Sequence, residues 1–211
     1  MQRPVLALTV LALTASTVGI ADAAVRKPPP PPCKTITDAT GDSEYGAPLD
    51  IVSGDLASNA KTVTAVFRLA DVSKSNSDAP TGQGYYFDFT PAGAATPIYL
   101  SYSVTPTTEA FNYGWVDGSI HRSLGSATGV YDTAKKEIRI SAPVGAWTTY
   151  GNPKPSTKLL GLTMTTYWVL GAYVPNPATG ATTGGGSLQM ADDAVGKTYV
   201  AGSASCVAVG K

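Results

Sequence analysis

The chain reads as an all-β protein, an antiparallel β-sandwich of jelly-roll-like kind, and three observations predict it. Apolar residues recur at every second position in run after run. Turn-forming clusters separate those runs at short intervals. Convincing helical periodicity is almost absent.

The runs follow in order. Val63, Ala65, Phe67 and Leu69 share one face, with Thr64 and Arg68 on the other. Tyr85, Phe87 and Phe89 then alternate with Tyr86, Asp88 and Thr90. Ile98, Leu100, Tyr102 and Val104 make a third apolar face, and Phe111, Tyr113 and Trp115 a fourth. Ile138 and Ile140 between Glu137 and Arg139 give the one-face-wet pattern of an antiparallel strand. The longest run, from residue 159 to 174, places Leu160, Leu162, Met164, Trp168 and Leu170 on one side. Turn signals fall at residues 58–61, at Pro91-Ala92-Gly93, at Asp117-Gly118 and at residues 132–135. Residues 145–156, with Pro153 and Pro155, read as a loop holding one helical turn, and residues 175–186 as a Gly/Thr-rich surface loop.

The domain plan is simple. Residues 1–23 read as a secretory signal peptide, with Arg3 in the positive region, Val5 to Ile20 as the apolar stretch and Ala21-Asp22-Ala23 as the cleavage site. Thr9 and Thr14 interrupt that stretch, which argues against a membrane anchor, and no second run approaches the roughly 20 apolar residues of a spanning helix. Residues 24–32 form a proline-rich linker ending in five consecutive prolines. Residues 33–211 form a single domain. The expectation is a secreted, extracellular, monomeric protein with no membrane span.

Fifteen basic residues balance fifteen acidic ones, so no basic stripe exists for nucleic acid. The two cysteines, Cys33 and Cys206, stand at opposite ends of the domain, and an exported chain most simply pairs them in a disulfide that joins its ends. A free nucleophile and an intermolecular bridge are the alternatives.

One cluster suggests an ion. Asp38-Ala-Thr-Gly41-Asp42 is followed by Glu44 and by Leu49-Asp50-Ile51, an acidic loop with a glycine for curvature that feeds a strand. Calcium takes six to eight oxygen ligands, and Asp38, Asp42 and Asp50 are the candidates to supply them. The spacing is not that of an EF-hand, and an Asx-turn with solvated carboxylates is the plainer alternative.

The acidic opening, its Leu-Asp-Ile and the strand Thr62 to Asp71 resemble secreted bacterial β-sandwich modules of the DOMON and glucodextranase C-terminal groups. Gly129 to Ile140, Ala191-Asp-Asp-Ala and Tyr199 to Cys206 are similar to the hairpin and closing segment of exported actinobacterial modules of that type. The resemblance implies a noncatalytic jelly-roll-like sandwich, with calcium or a sugar as ligand in some members. It nominates the same Asp38, Asp42 and Asp50, and no catalytic residue.

Enzymatic motifs are weak. His121 is the one histidine, with no Gly-x-Ser-x-Gly elbow, and no closely spaced zinc ligands occur. Glycoside hydrolysis needs two facing carboxylates, for which Asp88, Glu109, Asp117 and Asp192 are available. Eleven tyrosines and three tryptophans against four phenylalanines suit sugar stacking. Tyr86, Tyr113 and Trp115 are platform candidates. Alternation turns Tyr113 and Trp115 inward and Tyr86 outward, and Tyr86 and Trp115 stand as the ligand-binding pair. The sequence therefore predicts a secreted noncatalytic module, calcium-stabilised, that binds carbohydrate or cell envelope. An extracellular hydrolase using acidic residues and a structural or protein-interaction module are the alternatives.

Overall fold

A computed structural model describes residues 34–170 and 187–210. The signal segment, the proline linker, Cys33 and the 175–186 loop lie outside the described residues. Alternation and turns produce twelve strands: β1 (Ile36–Thr37), β2 (Ile51–Ser58), β3 (Thr62–Leu69), β4 (Gln83–Pro91), β5 (Ile98–Val104), β6 (Glu109–Asp117), β7 (Ile120–Ser126), β8 (Thr128–Asp132), β9 (Glu137–Pro143), β10 (Lys158–Leu170), β11 (Ser187–Val195) and β12 (Tyr199–Val200). They form two antiparallel sheets, ordered β1-β2-β3-β9-β8 and β11-β10-β4-β5-β6-β7, with β12 pairing the start of β10. Among the described residues no helix is long and apolar enough to cross a membrane.

The four turn signals fall on hairpins. Asn59 Oδ1 accepts from the amides of Lys61 and Thr62, closing β2 onto β3. Asp132 Oδ1 accepts from Lys135 N at 3.0 Å between β8 and β9. Gly93 and Gly118 take the left-handed conformation in the other two turns, with φ of 87° and 62°. The loop after β9 opens with a single 3-10 turn, Val144–Trp147, as its sequence suggests.

The faces expected to be apolar meet between the sheets. Phe67 of the first sheet packs edge-on against Tyr85 and Phe87 of the second, each at 6.0 Å. Gly54 of β2 lacks a side chain where Met164 of β10 crosses the core, and a Cβ there would collide with the Met164 sulfur. One assignment is corrected. Leu160 is 41 % exposed, whereas Leu159 and Leu162 are fully buried. Gly161, at φ 56°, sits in a register shift between Leu160 and Thr163, and this irregularity reverses the faces before it.

The outer face of the first sheet is covered by the C-terminal tail. Val207 packs on Ala57 and Val66, and the amides of Gly202 and Gly210 bond Ser58 Oγ and Thr64 Oγ1. Beside it, Arg68 bridges Asp55 at 2.6 Å and Glu137 at 2.9 Å, and Arg139 also holds Glu137.

Trp147 anchors the loop that follows β9. Its buried ring stands edge-on to Phe89 and Tyr113, and its Nε1 donates to Gly114 O at 2.8 Å. Trp147→Phe removes both ring volume and that donor. The expected cost is about 2–4 kcal/mol, read as a lower urea midpoint at unchanged slope; a midpoint equal to wild type would show that the anchor contributes nothing.

Candidate functional site

The loop between β1 and β2 gathers carboxylates. Gly41, at φ 91°, bends the chain there, as the acidic motif suggests. Carboxylate oxygens of Asp38, Asp42 and Asp192 all lie within 4.8 Å of one another. Two of these residues were expected. Asp192 joins them from β11, across the sandwich. Opposite Thr166 and Tyr167 of β10, β11 carries one extra residue, Ala191, because Asp192 pairs with Thr166 and Met190 with Tyr167. Such a bulge re-aims the side chain beside it. Ala191 O accepts from Glu44 N at 3.1 Å, and Asp192 Oδ2 from Ile51 N at 2.7 Å, so the loop and β11 are joined through the backbone.

Asp50 takes a different place from that expected. It is 3 % exposed, beneath the loop, where its Oδ2 accepts from Gly41 N at 2.7 Å. Its Oδ1 is buried with no hydrogen-bond partner, and so is Asp38 Oδ2. Buried carboxylate oxygens without donors are rare in native folds. Burial raises the Asp38 pKa, and the charges of Asp42, Asp193 and Asp50 add to that against the Ala39 amide. Burial likewise pushes Asp192 up to about 6, opposed by the Ile51 amide and reinforced by Asp38 and Asp42.

The arrangement suits a hard divalent cation. All the donors are carboxylate oxygens, the preference of calcium and magnesium. Ligands 2.3–2.6 Å from a common calcium lie at most about 4.6–5.2 Å apart, which accommodates the observed spread. Asp38, Asp42 and Asp192 would bind the ion, and Asp50 would set the loop beneath it and add its negative charge.

The aromatic candidates separate. Tyr86 faces outward from β4 as alternation requires, but it is only 6 % exposed. The expected exposure fails because the ring lies flat over Gly84, where a Cβ would come within 3.3 Å of it, and packs against His121, Tyr167 and Tyr99. Trp115 is half-buried at the core margin and stacks on Tyr150 at 4.6 Å and 14°. Tyr113 packs against Trp147 inside.

The acids weighed for hydrolysis are each committed elsewhere. Asp88 holds His121 Nε2 at 3.0 Å on the outer face of the second sheet. Glu109 accepts from Lys74 and from the Tyr102 hydroxyl, and Asp117 pairs with Arg122. Glu109 and Asp117 occupy opposite ends of β6.

The raised Asp192 pKa has a testable sign. The native protein without metal holds this proton more tightly than the unfolded chain, whose carboxyl titrates near 3.9. Its stability is therefore highest below about pH 4 with respect to this group and falls as pH rises to about 6. A cation bound by the carboxylates would cancel that loss. The difference in Tm between calcium and chelator should thus grow from about pH 4.5 to about pH 7 and then level; a difference constant with pH would contradict the assignment. Compared with known proteins, the chain matches no family model, no curated protein and no solved structure.

Proposed function

We propose that the protein is an exported, noncatalytic β-sandwich module, clamped by calcium and by a disulfide between its ends, that binds an extracellular glycan, free or in the cell envelope. The observation that carries the calcium reading is the buried Asp38 Oδ2, without a hydrogen-bond partner on a residue whose carboxylate converges with those of Asp42 and Asp192. The dispersal of Asp88, Glu109 and Asp117 among separate partners favours the noncatalytic reading over the hydrolase. The resemblance to secreted sandwich modules agrees with both, and the signal-peptide pattern supports export.

The Cys33–Cys206 pairing draws support from the chain around Asp55. Thr35 N donates to Asp55 Oδ1 at 2.8 Å, and Cys206 Sγ lies 3.9 Å from Asp55 Oδ2, so the start of the described chain and Cys206 converge on one side chain. No described cysteine is a free thiol.

Calcium added to chelator-stripped protein should titrate as one site with Kd of about 0.1–1 mM, typical of extracellular modules. At about 10 mM the ion then adds about 1.4–2.7 kcal/mol, a rise in Tm of about 3–10 °C. Asp192→Asn keeps an acceptor for Ile51 N but removes charge; it should raise the Tm in chelator and abolish the calcium response. A full calcium response in that variant, or none in wild type, defeats the reading.

Cys33→Ser should cost about 2–5 kcal/mol while the calcium-induced rise in Tm persists. Unchanged stability on both mutation and reduction would exclude the clasp.

A further inference from the structure

We propose that the cleft between the β4–β5 turn and the loop following Trp147 is a subsite for a neutral, hydroxyl-rich saccharide, with Tyr150 as its platform and Asn152 as its hydrogen-bond acceptor. The proposal rests on the glycan-binding reading and gives that reading a place. The cleft has a volume of about 580 Å³, and Ala95 and Thr96 face Thr149, Tyr150 and Asn152 across it, with Thr157 alongside. That size suits a sugar unit or two, since small-ligand sites run from about 300 to 1,000 Å³.

Three features select the ligand. No charged residue lines the cleft, so an ionic ligand would find no counter-charge. Asn152 Oδ1 is buried with no hydrogen-bond partner. An apolar ligand would leave that oxygen unmatched, whereas a sugar hydroxyl donates to it once the Asn152 side chain turns toward the cleft. Finally, Tyr150 is half-buried with its ring stacked on Trp115. An aromatic pair fixed in this way offers C–H-rich sugar surface a flat apolar contact, with the threonine hydroxyls beside it for the ring substituents.

The loop is also held in place before any ligand arrives. Trp147 is pinned to Gly114 O, and Tyr150 N donates to Trp147 O at 2.9 Å. Gly151, at φ 97°, brings the loop against the β4–β5 turn, where a Cβ would lie 3.1 Å from that of Ala94. A preformed subsite loses little freedom on binding, which favours affinity for small ligands.

The test titrates ¹⁵N-labelled protein with maltoheptaose, cellohexaose and hexa-N-acetylchitohexaose. At least one saccharide should shift amides in residues 92–96 and 149–152, and Asn152→Leu and Tyr150→Ala should each weaken it by about tenfold or more. Ala95→Trp fills the cleft from an exposed position, so it should block binding in a protein whose remaining spectrum is unchanged. Saccharide shifts confined to the Tyr86 face, or wild-type affinity in Ala95→Trp, would overturn the subsite while leaving glycan binding intact. No shift with any of the three at about 10 mM, well above the millimolar Kd of a weak site, would remove the glycan reading and the subsite together.

Discussion

Negative charge gathered where the β1–β2 loop meets β11 is the constraint on which the join between the two sheets depends. Two carboxylate charges within 4.8 Å of each other repel by about 1 kcal/mol or more in water and about 3 kcal/mol or more at a partly buried site. Against that repulsion stand the backbone bonds that bring them together: Gly41 N to Asp50, Ile51 N to Asp192 and Glu44 N to Ala191 O. The same segment is tied to the second sheet by Thr166 Oγ1 on Leu49 O and the Tyr85 hydroxyl on Pro48 O. The entry of β2 into the first sheet is thus set by contacts with β4, β10 and β11 of the second. Under the calcium reading, the cation turns the least favourable part of this join into its strongest.

The regular part of the fold was legible because it depends on periods and turns. Phe67, Tyr85 and Ile140 declare their faces by alternation, and Asn59, Gly93, Gly118 and Asp132 declare their hairpins by turn chemistry. The failures have a common cause, since each depends on residues distant in sequence or on one extra residue in a ladder. Leu160 reads as inward until Gly161 breaks the register. Asp192 lies 141 residues beyond the amide it accepts, so nothing local marks it as part of the acidic loop. Its one local signal is Ala191-Asp-Asp-Ala, an acidic pair between small residues within a strand. Asp50 was identified as part of the site, but in a loop-bound position that residue type alone does not reveal.

Tyr86 shows a different limit. Alternation gives the face of a side chain correctly but not how much of that face its neighbours cover. On the outer side of the second sheet, glycines make room for tyrosines. The Tyr86 ring lies over Gly84, and a Cβ on Gly114 would collide with Tyr99. Rings laid along the sheet seal it much as the C-terminal tail seals the other. The first sheet uses paired charges, Asp55 with Arg68 and Glu137 with Arg139; the second uses aromatic rings around the His121–Asp88 pair.

The ion cluster and the cleft occupy opposite ends of the same ladder. Thr166 of β10, which pairs with both Tyr85 and Asp192, stands toward one end, and Leu159, opposite Pro91, at the other. Seven residues of strand separate them by roughly 20 Å. Between the two runs the paired backbone of β4 and β10, rigid and buried on its inner face. Coupling between distant sites requires an element with two alternative arrangements, and β4 and β10 meet in one register, with its irregularity at Gly161. Under the calcium reading, the ion then acts on the stability of the whole domain rather than on the geometry of the cleft. Under the proposed subsite, ligand affinity in the folded protein would follow Tyr150, Asn152 and the Trp147 anchor beneath them, whereas the population of folded protein would follow the carboxylates at the far end.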